Sequence, residues 1–131
     1  MRVKEIMHGV IKISFWSSVS EAARIMDERA IGSVLIEENG RVIGIMTERD
    51  ILRKIVAKGK NPDKVKVKDI MNDPVVTIDA NEDILEASKI MDEKKIRRLI
   101  VVENGKIVGK ITANSISRNL KYMIIREPQV Y

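Results

Sequence analysis

Cysteine is absent from this 131-residue chain. That excludes a disulfide framework, a thiolate zinc site and a thiol nucleophile. Histidine occurs once, at His8, so neither a histidine metal cluster nor a serine triad finds its ligands, and His8 is expected in an exposed turn. Aromatic residues make up 3% of the chain, which leaves few stacking platforms for a sequence-tolerant single-strand binder and makes nucleic acid a minor expectation. No apolar run approaches the roughly 20 residues that a membrane span requires. The start, Met1-Arg2-Val3-Lys4-Glu5, has no secretory apolar region. Glutamine occurs once, at Gln129, beside 33% charged residues. The expectation is a cytoplasmic protein whose composition leans toward a thermophilic source.

What the chain does have is a repeat. Val10 to Arg53 and Val75 to Arg118 align without a gap at a shift of 65 residues, and sixteen of the forty-four positions are identical. Each copy reads as strand, helix, hairpin, helix. Val10 to Ile13 and Val75 to Ile78 are first strands. Ser18-Val19-Ser20-Glu21 and Asp83-Ile84-Leu85-Glu86 have helix-opening chemistry, with Val19, Ala22, Met26 and Ile84, Ala87, Met91 on the inner face. Asn39-Gly40 and Asn104-Gly105 tolerate positive φ and mark hairpin turns between β-branched runs. A further helix starts near Glu48, with Ile51, Leu52, Ile55 and Val56 expected on its buried side, and Gly59 ends it. The fold class expected is mixed α+β (α/β): two β-α-β-β-α units around a pseudo-twofold axis, because one small unit alone leaves an apolar face wet. Repeat 1 spans residues 1–58, a linker 59–66, repeat 2 67–120 and an unrepeated tail 121–131. Met123, Ile124, Ile125 and Tyr131 in that tail either dock on a neighbouring subunit or form a plain extension.

Chemistry concentrates where a strand becomes a helix, in Gly44-Ile45-Met46-Thr47-Glu48-Arg49-Asp50. Gly44 lets backbone approach closely, Thr47 falls at the helix N-cap and Asp50 at the third helical position. Two readings stand: a capping box, or a hydroxyl and carboxylate that hold the vicinal diol of a ribose. In the second copy the stretch is Gly109-Lys110-Ile111-Thr112-Ala113-Asn114-Ser115, which keeps Gly and Thr and loses the acid. The net charge of +5 favours an anionic partner. Gly105 to Lys110 has the wrong spacing and setting for a phosphate loop, and Lys110 is expected at the surface. The carboxylates lie mainly on polar helix faces and form no acid/base pair, so no enzyme activity is expected.

The order of motifs, given twice, resembles a tandem pair of cystathionine-β-synthase (CBS) domains of the stand-alone prokaryotic, archaeal-like type, the arrangement called a Bateman module. The residues that carry the likeness are Lys4-Glu5-Ile6-Met7 and Lys68-Asp69-Ile70-Met71, Pro74-Val75-Val76-Thr77-Ile78, Glu86 to Met91, Ile96 to Val102, and the motif ending in Asp50. The resemblance implies two clefts for adenosine-containing ligands (AMP, ADP, ATP, S-adenosylmethionine or NAD), with no cofactor required. The sites are crossed in the family. Carried over, cleft A combines Thr47 and Asp50 with Val75, Val76, Ile96 and Arg98. Cleft B combines Thr112 with Val10, Ile11, Ile31 and Ser33, and departs from the family pattern at Ser115. Arg98 is implied as the phosphate ligand, against the alternative that Arg97 and Arg98 are a solvated basic pair. The family further implies a homodimer and an effector protein on another chain. Phe15 and Trp16 stand where the second copy has Ala80 and Asn81, and are open to local packing or a partner contact.

Overall fold

The computed structural model describes residues 1–120. The tail residues named above lie outside the described residues. The chain divides into two compact units, one of Ile11–Val75 and the other of Met1–Val10 with the residues from Val76 on. The entry segment before each repeat therefore belongs to the unit that carries the body of the other repeat.

The Ile11–Val75 unit holds β1 (Lys12–Ser14), α1 (Val19–Arg29), β2 (Ser33–Glu38), β3 (Arg41–Thr47) and α2 (Glu48–Ile51). Its sheet has the order β1-β2-β3, with β1 parallel and β3 antiparallel to β2. The other unit repeats this plan with β4 (Thr77–Asp79), α3 (Ile84–Lys94), β5 (Arg98–Glu103), β6 (Lys106–Thr112) and α4 (Ala113–Arg118). Among the described residues no helix is long and apolar enough to cross a membrane.

Local chemistry sets the elements. Ser18 Oγ accepts the Glu21 N–H at the start of α1, and Asp83 Oδ1 accepts the Leu85 N–H at the start of α3, each satisfying a backbone donor left open by the first turn. Both helices end on a left-handed residue, Ala30 (φ 52) and Lys95 (φ 56), where a glycine is usual. The hairpins turn on Asn39-Gly40 and Asn104-Gly105, all four with positive φ. Val19, Ala22 and Met26 close one core with Val34, Ile36 and Met46. Ile84, Ala87 and Met91 close the other with Leu99, Val101 and Ile111.

Three sequence expectations change. The first strands begin later than the apolar runs, at Lys12 and Thr77. Ile11 and Val76 contribute carbonyls to Leu35 and Ile100 from just outside the ladder. The helix after β3 buries Ile55 but leaves Leu52 and Val56 at 59% and 64% exposed. The cause is a π turn over Leu52–Val56, closed by the Ala57 N–H on the Leu52 carbonyl at 2.9 Å. A π turn rotates less per residue than the 3.6-residue period assumes, so Leu52 and Val56 leave the inner face. Lys110 is 8% exposed and not a surface lysine, because it lies on β6 opposite the fully buried Ile100.

Gly44 and Gly109 mark the close approach of each entry segment. A Cβ on Gly44 would lie 2.5 Å from Met71 Sδ and 3.0 Å from the Asn72 carbonyl. One on Gly109 would lie 2.7 Å from the His8 carbonyl and 3.0 Å from Met7 Sδ. A flexible thioether can move, whereas a paired backbone carbonyl cannot. Gly109→Ala is therefore expected to destabilise more than Gly44→Ala, both within roughly 1–3 kcal/mol. Urea unfolding of the two variants checks the order.

Candidate functional site

The β3–α2 junction places Thr47 at the N-cap and Asp50 at the third helical position, and both halves of a capping box form. The Thr47 N–H donates to Asp50 Oδ2 at 2.8 Å, and the Asp50 N–H donates to Thr47 Oγ1 at 3.3 Å. The same Asp50 Oδ2 also accepts the Thr47 hydroxyl at 3.0 Å and Asn72 Nδ2 at 2.8 Å. Asp50 Oδ1 pairs with Lys54 Nζ at 3.2 Å. Lys54 reaches on to the Ile70 carbonyl at 2.8 Å and to Asn72 Oδ1 at 3.3 Å. Asn72 is itself fixed by two backbone hydrogen bonds with Ile45. Asp50 is thus an 8% exposed carboxylate whose Oδ2 meets three donors and whose Oδ1 meets Lys54, which satisfies the rule that buried charge be paired.

The second copy builds the same node from different groups. His8 makes the two backbone hydrogen bonds with Lys110 that Asn72 makes with Ile45. His8 Nε2 lies 2.8 Å from Ser115 Oγ, and Ser115 Oγ lies 2.8 Å from Thr112 Oγ1. Ser115 donates its N–H to Thr112 Oγ1 at 3.0 Å. Asn119, at the position of Lys54, donates Nδ2 to the Ser115 carbonyl at 2.7 Å. Acid, amide and ammonium are replaced by hydroxyl, imidazole and amide. His8 is exposed as expected, yet it is the partner of Ser115 and not an idle turn residue.

The other predicted residues divide between the units. Ser33 is 3% exposed and opposes Thr47 across β2 and β3, and Ile11 and Ile31 pack on the core of the same unit. Val75 closes the chain of that unit. Arg98 opposes Thr112 across β5 and β6. Val76 and Ile96 pack on the core beneath them, and Val10 belongs to this unit too. Each unit therefore joins the threonine assigned to one cleft with residues assigned to the other.

Charge separates the two sheets. Side chains alternate along a strand, so Ser33, Leu35, Ile45 and Thr47 share one sheet face, and Arg98, Ile100, Lys110 and Thr112 share the matching face. The first set is neutral and the second holds two cations. Burial lowers the Lys110 ammonium from its ordinary pKa, and the neighbouring Arg98 lowers it further. A groove of about 510 Å³ also lies in the Ile11–Val75 unit; the predicted site residue Ile31 lines it, with Met26, Asp27, Gly32, Glu48 and Ile51 among others, and Thr47 and Asp50 lie outside its lining. Among the described residues no group of three His, Asp or Glu side chains is placed to hold a metal ion.

Sequence reasoning missed Lys54, Asn72 and Lys110 as members of these nodes. The signal available was the copy comparison. Asn72 and His8 follow the same entry methionine, and Lys54 and Asn119 are related by the repeat shift.

A family model described as the CBS domain matches residues 3–57 and 67–122. The chain is 46% identical over 106 residues to an uncharacterized protein of Methanopyrus kandleri, covering 79% of this chain and 54% of that one. It spans about half the length of the archaeal relatives it matches. It is 32% identical over 119 residues to hypoxic response protein 1 of Mycobacterium tuberculosis, covering 89% of this chain and 83% of that one. A hexameric CBS-CP12 protein from bloom-forming cyanobacteria superposes with a TM-score of 0.87 at 26% identity, over 99% of this chain and 76% of that one.

Lys110 gives a prediction from charge alone. A lysine whose folded-state pKa is lowered destabilises the fold while it is protonated, and the penalty fades as pH rises through that pKa toward the unfolded value of 10.5. Lys110→Met is expected to raise the melting temperature at pH 7. The gain should shrink as the pH approaches 10, as scanning calorimetry across that range would record.

Proposed function

The chain belongs to the CBS-domain family, as two tandem copies, and on that premise we propose that it is a non-enzymatic regulatory module for adenosine-containing ligands. A CBS-domain pair is generally a regulatory module. The observation that carries the ligand reading is the Asp50 carboxylate, held in one orientation by Thr47, Asn72 and Lys54. An ionised carboxylate accepts from both hydroxyls of a ribose, and a preorganised one loses little entropy in doing so.

In this reading Asp50 takes the ribose, Thr47 the sugar–phosphate junction and Arg98 the phosphate. Val75, Val76 and Ile96 line the base pocket. Thr112, Val10, Ile11, Ile31 and Ser33 form the second site, where Ser115 offers a hydroxyl in place of the acid. AMP, ADP and ATP fit the cationic Arg98–Lys110 face better than a neutral nucleoside does. Binding shifts the population of conformers presented to an effector on another chain. Self-association belongs to the same proposal. Leu52 and Val56 are exposed apolar side chains one turn apart, and the cyanobacterial neighbour is hexameric.

Calorimetric titration tests it. Asp50→Ala is expected to weaken AMP binding by about 1.5–3 kcal/mol. Arg98→Ala is expected to weaken AMP far more than adenosine. Equal losses for the two ligands would remove the phosphate role, and unchanged AMP affinity in the Asp50 variant would remove the ribose role.

A further inference from the structure

Phe15 and Trp16 are no part of the repeated plan, since the second copy has Ala80 and Asn81 there. The structure separates their roles. Phe15 packs on the core of its unit and donates its N–H to the Glu37 carbonyl. Trp16 meets it edge-on at 5.9 Å and is 57% exposed. Lys66 Nζ lies 5.0 Å and Lys68 Nζ 4.7 Å from the centroid of the Trp16 ring, with Lys68 also 5.9 Å from the Phe15 ring.

Two ammonium groups thus converge on one exposed ring. They lie within about 10 Å of each other, a distance over which salt at 0.1 M screens them only in part. Neither pairs with a carboxylate among the described residues. The backbone holds them there. Val19 and Val67 donate to the carbonyls of Val65 and Ser17, both at 2.9 Å, and Val67 is fully buried between the two lysines. Residues 58–69 carry five lysines against two aspartates. The low aromatic content had counted against single-strand binding, yet two of the four aromatic residues are adjacent here.

We propose that Trp16, Lys66 and Lys68 form a site for single-stranded nucleic acid, in which the two ammonium groups leave the ring for neighbouring phosphates and a base takes their place on the indole. Every base has a π-face, so stacking requires no sequence. A duplex keeps its bases stacked internally and offers the indole nothing flat. An acidic peptide satisfies the lysines but leaves the ring without a partner. The site uses none of the residues assigned to the adenosine ligand, so the two proposals stand or fall separately.

Trp16 is the sole tryptophan, so its emission reports this site directly. Titration of the full chain with a short oligodeoxyadenylate is expected to quench it saturably. The affinity should fall with salt at a log–log slope of about −1.4, the value for two phosphates on a single strand. Lys66→Ala and Lys68→Ala should each reduce that slope by about 0.7. Anisotropy of a labelled strand should show Trp16→Ala binding about 5- to 150-fold more weakly, with Trp16→Phe retaining most of the affinity and thermal melting confirming that both variants fold. Emission unmoved by the strand, equal quenching by polyglutamate, or unchanged strand affinity in Trp16→Ala would overturn the proposal.

Discussion

A single carboxylate oxygen of Asp50 accepts hydrogen bonds from the Thr47 backbone, the Thr47 hydroxyl and the Asn72 amide. That convergence ties the β3–α2 junction to the entry segment that precedes the second repeat, 22 residues further on. Lys54 completes it by bridging the other carboxylate oxygen to the Ile70 carbonyl. With Asp50 replaced by an apolar group, the Asn72 amide and the Lys54 ammonium each lose a partner at a partly buried position, the costly case for polar groups. Gly44 belongs to the same constraint, because only a residue without Cβ admits Met71 and Asn72 this closely.

The second copy keeps the scaffold of this node and changes its chemistry. The backbone exchange between Asn72 and Ile45 recurs between His8 and Lys110, and the threonine cap recurs at Thr112. The acid becomes Ser115, while cations appear on the adjoining sheet face as Arg98 and Lys110. The two copies of one fold therefore differ in charge, one carrying the Asp50–Lys54 ion pair and the other the cations Arg98 and Lys110.

Much of this was legible in the chain because it is local. Ser18 and Asp83 as caps, the two Asn-Gly turns and the Val19/Ala22/Met26 face each follow from a few neighbouring residues. Thr47 and Asp50 were legible as a motif, and the structure realises the capping-box half of that reading. Leu52 and Val56 were misplaced because a π turn breaks the helical period, and no local residue announces it. Lys110 was misplaced because its burial depends on β5. Asn72 was not singled out and His8 was read as an exposed turn residue, because their partners lie 22 and 107 residues away. Each follows an entry methionine, Met71 or Met7, but only the strand-end pairing shows why that position matters.

The two nodes supply a direct trial of the central claim, that the acid of the first node serves a ligand as well as the fold. A chain carrying Asp50→Ser, Asn72→His and Lys54→Asn gives the first copy the side chains that the second copy already uses in the same backbone setting. Calorimetric titration of this triple variant with AMP is the decisive measurement. The account predicts a cooperatively folded protein that has lost AMP binding by at least tenfold. A folded variant that binds AMP as tightly as the parent would contradict it.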